Sequence, residues 1–419
     1  MKEFFKHYGQ TVILLLSIII GAIIGLIWKE GATVLSPFGD IFLNLMFVII
    51  VPLVFLTIST SIARIKQPKR LGKIMSSIVL VIVITSIIAV VIGLLSTFFI
   101  KLVNVEDGKA ILASLEENSE EIAEETEELN ILERTVSAIT VSDFTGLLSK
   151  NNLIAIVIFS ILFGCAIKMS GEKGKPVQDF LESATTIIMN LLKIVMYYAP
   201  IGLGCYFAAL VGSFGANIAL GYAKTFIIYL VVSVVYYFVM YTVYAFIAGK
   251  KDGVKAFWKN VIPPTVTSLA TCSSAASIPV NVESAENMGI SKDIAETSIP
   301  LGTNLHKDGS IIGSVFKVMF LVCLFGTNIA TFSGAMQVLL VSLVATLLVT
   351  AVPIGGGTIS EMMILSMMGY PTAALPILTI IATIIDCPAT VLNVVGNTSS
   401  AMLVSRAVDG KKWLKKEKK

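Results

Sequence analysis

The sequence has few charged residues for its length. Asp, Glu, Lys and Arg make up 14% of its 419 residues, whereas 55% are hydrophobic and the mean hydropathy is +0.87. A soluble globular domain carries about 25% charged residues, so the composition excludes that class. It predicts an all-α polytopic membrane protein that lies in a lipid bilayer.

Sequence patterns that carry enzymatic or nucleic-acid chemistry are missing too. There is no GxSxG nucleophile signature, phosphate-binding loop or zinc-ligand spacing. The five cysteines include no CxxC pair, which favours packing roles over a disulfide framework or a metal site. Ser274, His306 and Asp308 could be imagined as a hydrolase triad, but Lys307 beside the histidine disfavours a general base. We therefore expect no enzymatic activity, no cofactor and no nucleic-acid partner.

Apolar segments long enough to cross a hydrocarbon core of about 30 Å follow one another through the first 250 residues. They lie near 11–28, 41–63, 76–103, 138–167, 185–212 and 217–248. The first is longer than the apolar region of a cleavable signal peptide, and no small-residue cleavage site follows it. We expect it to be retained as a span.

Charge alternates between the connections of these spans. Residues 64–73 carry five basic and no acidic residues, and the C-terminal KKWLKKEKK is strongly basic. The positive-inside rule predicts a multi-pass protein of the plasma (inner) membrane with both termini cytoplasmic. On the other side, residues 106–133 hold eleven of the 28 acidic residues. We interpret them as a solvated helical insertion, with a cation-attracting vestibule as the alternative.

Two interrupted elements in the last third of the chain differ from simple spans. Residues 255–292 and 333–371 each consist of two short apolar pieces around a turn, CSSAAS at 272–277 and VPIGGG at 352–357. Each precedes a long apolar helix with a polar middle. Paired elements of this kind indicate inverted repeats with a binding site at the membrane midplane. A channel filter can also use such turns, so an ion channel stays open as an alternative.

The final helix carries a polar face. Asp386, Thr390, Asn393 and Asn397 recur at intervals of four, three and four residues, so they share one side of an otherwise apolar helix. A carboxylate at that depth is costly without a partner, so Asp386 either binds a ligand or belongs to a structural ion pair. We predict ligand binding for Asp386 and Asn393. Thr390 could equally bond to its own helix.

Ordered motifs along nearly the whole chain resemble the glutamate transporter family, the dicarboxylate or amino acid:cation symporters. They are FGDIFLNLMF at 38–47, VPLVFLTI at 51–58, NNLIAIVIFSILFG at 151–164, YAPIG at 198–202, IPV at 278–280, MGIS at 288–291, PLG at 300–302, DGS at 308–310, the Gly-rich second turn and the D-x3-T-x2-N-x3-N helix. The resemblance implies a divergent prokaryotic-type, elevator-type secondary active transporter. It would have eight transmembrane helices and two re-entrant helical hairpins, and it would form a homotrimer.

The resemblance also implies a scaffold that holds a mobile transport domain. The chain then divides into scaffold spans at 1–73, a third span in the transport domain at 74–104, an acidic extracellular insertion at 105–136, spans four and five (scaffold) and six (transport domain) at 137–249, the first hairpin at 250–292, a seventh span with a broken middle at 293–327, the second hairpin, or gate, at 328–371, the eighth span at 372–407 and a basic cytoplasmic tail at 408–419.

Carried over position by position, the resemblance implies a site built from both hairpins and the last two spans. Asp386 would hold a substrate ammonium, and the first hairpin tip would bind the α-carboxylate, which are complementary pairs. The substrate-site positions are Ser273, Ser274, Ala275, Val352, Gly355, Gly356, Asp386, Ala389, Thr390 and Asn393. The coupling-site positions, for Na⁺ or H⁺, are Thr85, Ser86, Gly302, His306, Lys307, Asp308, Asn393 and Asn397.

Two departures from the family pattern bear on substrate and coupling. Acidic-substrate members carry an Arg where this chain has Ala389, so nothing there can form a bidentate pair with a side-chain carboxylate. We expect a small neutral amino acid, with an acidic amino acid or dicarboxylate as the alternative. Lys307 stands where sodium-coupled members have a Met. Two unit charges 4 Å apart repel by about 4 kcal/mol at an effective dielectric near 20, which disfavours sodium and predicts transport that is sodium-independent, either proton-coupled or uncoupled.

Two further ionisable residues allow more than one interpretation. Glu361 has no counterpart in the family pattern. An ion pair with Lys307 is our first interpretation, and contact with a cationic substrate or a water-facing position are the alternatives. His306, one of two histidines, could titrate during transport. We favour a hydrogen-bonded core role for it.

Overall fold

The computed structural model describes residues 2–63, 69–103, 140–149, 152–347, 356–411 and 413–415, and within these ranges it contains helices and no strand. The helices are α1 (Lys2–Trp28), α2 (Ser36–Ala63), α3 (Lys69–Thr97), α4 (Leu153–Met169), α5 (Lys175–Phe214), α6 (Ala216–Asn260), α7 (Ile262–Thr271), α8 (Ile278–Asn287), α9 (Lys292–Leu305), α10 (Asp308–Phe325), α11 (Phe332–Leu347), α12 (Gly356–Met368) and α13 (Leu375–Val408).

Six helical stretches of the described residues are long and apolar enough to cross a membrane. They are Val12–Thr60, which comprises α1 and α2, and Lys73–Thr97, Gly171–Ser213, Ala216–Asn260, Lys292–Phe325 and Thr372–Val408. Large apolar side chains such as Ile27 and Ile187 are exposed on these helices, as a lipid-facing surface requires. The chain is therefore a multi-pass membrane protein. The total of eight transmembrane helices stays a prediction.

The expected continuous apolar span at 138–167 is wrong in its first half. Residues 140–143 are not helical, a single turn follows at Phe144–Leu147, and α4 begins only at Leu153. Asp143 caps that turn, because its Oδ1 accepts from the Gly146 N–H at 2.7 Å. The Asn152 side chain then bonds to the Gly146 carbonyl. These local bonds compete with a continuous helix.

The interruptions predicted in the last third of the chain are confirmed where the structure describes them. A short turn at 272–277 separates α7 from α8, and His306 and Lys307 separate α9 from α10. α6 also contains a kink, because Gly249 and Lys250 have non-helical dihedral angles. The turn between α11 and α12 lies outside the described residues.

Helix packing forms two groups among the described residues. In the first, α1 and α2 pack along α5, and α4 packs on α2. In the second, α13 packs along α6, α9, α10 and α3, and the short helices α7, α8 and α12 also contact it, while α11 packs on α10, α12 and α3. The second group holds most of the buried polar side chains. It therefore positions the candidate site.

Candidate functional site

The break between α9 and α10 lies deep inside the second group of helices. His306 and Lys307 have non-helical backbone angles, with φ of −100° and −140°, between two helical segments. His306 and Asp308 are fully buried. Irregular backbone at this depth requires polar partners. Those partners come from α3, α6 and α13.

A buried polar cluster, the His306 cluster, consists of Thr85, Tyr236, Tyr244, His306 and Asp308. His306 Nε2 lies 2.9 Å from Thr85 Oγ1 and 3.3 Å from Asp308 Oδ1. Tyr236 donates to Asp308 Oδ2 at 3.1 Å, and its oxygen lies 3.2 Å from that of Tyr244. The cluster therefore joins α3, α6 and both sides of the break.

The hydrogen bonds of Thr85 indicate the histidine tautomer. Thr85 Oγ1 donates to the backbone carbonyls of Val81 and Ile82, at 3.0 and 3.1 Å. Its single proton is thus in use, so we assign the proton of neutral His306 to Nε2, which donates to Thr85. His306 is therefore buried and hydrogen-bonded to Thr85. The neighbouring Ser86 is fully buried, and its hydroxyl has no hydrogen-bond partner among the described residues.

Two asparagines of α13 hold the two sides of the break. Asn393 Oδ1 accepts from the Ser310 N–H at 3.2 Å, and its amide donates to Ser310 Oγ at 3.0 Å. The amide orientation that satisfies both ends of Asn397 lets it donate to the Gly302 carbonyl at 3.1 Å. In the same orientation it accepts from the Thr303 N–H at 2.8 Å. Asn393 therefore contacts the start of α10, and Asn397 contacts the end of α9.

Close backbone approach brings α13 to the break. A methyl group added at Gly309 would overlap the carbonyl oxygen of Ala389. One added at Gly396 would lie 2.9 Å from His306 Cε1 and 3.2 Å from Asp308 Oδ2. A larger residue at either position would therefore force neighbouring atoms to shift.

The predicted polar face of the last helix is present on α13. Ala389, Thr390, Asn393 and Asn397 are buried, whereas the Asp386 side chain is exposed. An exposed carboxylate beside a buried polar stripe can receive a cationic group. Ala389 lies one turn away from it and offers only a methyl group.

The tip of the first hairpin folds on itself through its serines. The Ser273 hydroxyl accepts from the Ala276 N–H at 3.2 Å, and the Ser277 hydroxyl donates to the Ser273 carbonyl. The N–H groups of Ser274 and Ala275 have no hydrogen-bond partner within the described part of the chain. The tip therefore offers donors to an anion.

A pair of thiols connects this tip to the residue after Asp386. The Cys272 and Cys387 side chains are neighbours, and both residues are half-buried with free thiols. Cys272 has a left-handed backbone at the end of α7, with φ 43° and ψ 34°. The contact brings Ser273 and Ser274 next to Asp386. This pair could not be predicted from the sequence, because its members are 115 positions apart.

Glu361 pairs with Lys317, not with Lys307. Lys317 Nζ lies 2.9 Å from Glu361 Oε1, and the two side chains are 7% and 1% exposed. Thr379 donates to Glu361 Oε2 at 2.7 Å. The expected ion pair with Lys307 and the water-facing alternative are therefore wrong. Lys307 is half-buried, and its ammonium has no ion pair or hydrogen bond within the residues described.

Only part of the predicted second hairpin site can be located. Val352 and Gly355 lie outside the described residues, and Gly356 begins α12. The arms of this hairpin are both bonded to α10. On the first arm, the Thr346 hydroxyl lies 2.8 Å from the Ser314 hydroxyl of α10, and on the second arm Glu361 pairs with Lys317 of α10.

The chain is similar to known transport proteins over nearly its whole length. A family model described as "Sodium:dicarboxylate symporter family" matches residues 11–407. A proton/sodium-glutamate symport protein of Geobacillus stearothermophilus is 27% identical over 408 residues, which cover 96% of this chain and 95% of the relative. A C4-dicarboxylate transport protein of Brucella anthropi is 28% identical over 415 residues, covering 96% and 89% of the two chains.

Proposed function

This chain belongs to the Sodium:dicarboxylate symporter family, and we propose that the solute it carries is a small neutral amino acid. Membership makes it a membrane symporter and not an enzyme, with Na⁺ or H⁺ as the coupling ion of its family and no cofactor. The substrate class goes beyond membership, and it rests on the residues around Asp386.

The arrangement of Asp386 and the first hairpin tip supports an amino acid. The exposed carboxylate complements an ammonium group, and the N–H groups of Ser274 and Ala275 complement a carboxylate. The Cys272–Cys387 contact brings the two halves together. Thr390 and Asn393 follow on the same face of α13.

The observation that carries the neutral class is Ala389. Its methyl group is buried one turn after Asp386, where an arginine would bind a side-chain carboxylate bidentately. Lys317 is the cation that acts electrostatically on Asp386, but Glu361 neutralises it. A second carboxylate on the substrate would therefore lack a partner, and an unpartnered buried charge is costly.

The coupling residues favour transport without sodium. Sodium binds oxygen acceptors, yet the Asn397 amide already donates to the Gly302 carbonyl, and the Lys307 ammonium adds a positive charge at the same break. Thr85 and His306 are already bonded to each other, and Asp308 Oδ2 already accepts from Tyr236. We propose that Lys307 replaces a bound sodium and that transport is coupled to protons or uncoupled.

The packing of the helices supports an elevator mechanism. α1, α2, α4 and α5 would form the scaffold, and α3 with α6 to α13 would form the transport domain. We propose a homotrimer in the plasma (inner) membrane with cytoplasmic termini, in which the second hairpin is the gate.

The relatives favour a second candidate, an acidic amino acid or C4-dicarboxylate. Their names refer to glutamate and to C4-dicarboxylates. In that case the site would have to bind the second carboxylate without an arginine at 389.

A thermal-shift binding screen on the purified protein decides between the two candidates. We expect serine, alanine or larger neutral amino acids to stabilise the protein more than aspartate, glutamate or succinate. The Asp386→Asn variant is the control. It should stay folded because Asp386 is exposed, and it should lose the response to amino acids. Stronger stabilisation of the wild type by aspartate or succinate would overturn the neutral class.

Uptake into proteoliposomes tests the coupling. When sodium is replaced by choline at constant pH, we expect uptake to persist. The imposed proton gradient is varied independently of the sodium concentration. Collapse of uptake in choline would show that sodium is needed.

A further inference from the structure

We propose that Glu361 determines substrate specificity by neutralising Lys317, and that it thereby closes the site to a substrate with a second carboxylate. The inference rests on the proposed neutral substrate and assigns the residue that enforces it. In this account the Lys317 ammonium would bind an anion if it were unpaired, and its ion pair with Glu361 prevents this.

Lys317 lies on the side of α10 that faces α13. Gly309 contacts Ala389, and a methyl group at Gly313 would lie 2.7 Å from Ile385 Cδ1. Lys317 continues this series at four-residue intervals, so it projects toward the same helix. Thr379, the hydroxyl partner of Glu361, is seven residues before Asp386, on the same side of α13. The Lys317–Glu361 pair therefore lies along α13, the helix that carries Asp386.

The charge of Lys317 reaches Asp386. The ammonium acts electrostatically on that carboxylate while it donates to Glu361 at 2.9 Å. If Glu361 carried no charge, a substrate carboxylate would find an unneutralised ammonium near the ammonium-binding end of the site.

Stability alone does not account for the pair. Replacing a buried ion pair by apolar residues of similar volume is often neutral or stabilising, and the neighbours of Lys317 at 315–316 and 318–322 are apolar and buried. A lysine with a matched carboxylate sets the local charge to zero. An apolar pair would do the same, but it would offer no cation to any substrate. The structure thus holds a cation whose availability depends on one residue.

Glu361→Gln isolates this charge. The glutamine oxygen can accept from Lys317 as before, and its amide can donate to Thr379, whose own proton can go to the Leu375 carbonyl at 3.0 Å. The shape and the hydrogen bonds are retained, and only the negative charge is removed. Lys317→Met/Glu361→Met is the matched control, because it removes both charges and keeps the core apolar.

The experiment measures affinities for serine, aspartate and succinate on purified full-length wild type and on both variants. We expect the ratio of aspartate to serine affinity to rise about tenfold or more in Glu361→Gln and to stay at the wild-type value in the double variant. An unchanged ratio in folded Glu361→Gln, or the same rise in the double variant, would overturn the inference. If Glu361→Gln does not fold, Lys317→Arg/Glu361→Gln replaces it, because it carries the same unpaired charge on a guanidinium that tolerates burial better. The same rise in the ratio of aspartate to serine affinity would then support the inference, and an unchanged ratio would overturn it.

Different results test the proposed neutral substrate and the role of Glu361. A wild type that prefers aspartate to serine contradicts the neutral class. The change in the ratio from wild type to Glu361→Gln tests the role of Glu361 in either case.

Discussion

Replacing Lys317 alone tests whether the buried ion pair holds the second hairpin to α10. In Lys317→Met, the Glu361 carboxylate keeps the Thr379 hydroxyl as its described partner and stays almost fully buried. Removing one member of a buried pair costs about 3–5 kcal/mol, because the other charge is left uncompensated. We expect a loss of that size in the free energy of unfolding. Lys317→Met/Glu361→Met should be close to wild type or more stable, by up to about 4 kcal/mol.

Unfolding by SDS in mixed micelles measures these differences. Lys175→Met is the control, because it breaks the exposed pair with Asp179, in which both side chains are more than half exposed. It should have no measurable effect on unfolding. A Lys317→Met variant as stable as wild type, or a double variant that loses more than the single one, would refute the electrostatic account of this contact.

Three further substitutions test the His306 cluster, its contact with Gly396, and Asn397 of α13. Tyr236→Phe removes the donor to the buried Asp308 and should cost about 1.5–3 kcal/mol of unfolding free energy. Tyr198→Phe, whose hydroxyl bond is exposed, serves as its control, and equal losses in the two would count against the cluster. Gly396→Ala should cost about 1–3 kcal/mol through overpacking against His306, whereas Gly146→Ala, with no atom closer than 3.4 Å, should be tolerated. A Gly396→Ala protein as stable as wild type would show that α13 packs less closely against His306 than the structure indicates. Asn397→Asp replaces the donor at the Gly302 carbonyl by an acceptor, so sodium should raise its thermal midpoint and leave wild type unchanged. A sodium response in wild type would contradict that reasoning.

Local periodicity accounts for the parts of the site that the sequence could predict. Asp386, Thr390, Asn393 and Asn397 belong to one helix, so their spacing alone places them on one face. The interruption at 306–307 follows from polar residues in an apolar segment. Both features depend on a few neighbouring positions.

Contacts between distant helices account for what the sequence could not predict. Cys272 meets Cys387, and Thr85 meets His306 across 221 positions, because of the register in which separate helices pack. The register of α10 and α12 likewise pairs Glu361 with Lys317 and not with the Lys307 that the sequence suggests. One signal was available: Lys317 interrupts the apolar run of α10, and a lysine at that depth requires a carboxylate partner.

Uptake of labelled serine into sodium-free proteoliposomes, with unlabelled aspartate or alanine as competitor, tests the proposed function most directly. The account predicts that serine enters without sodium, that alanine competes and that aspartate at the same concentration does not. Uptake that aspartate abolishes more effectively than alanine would contradict it.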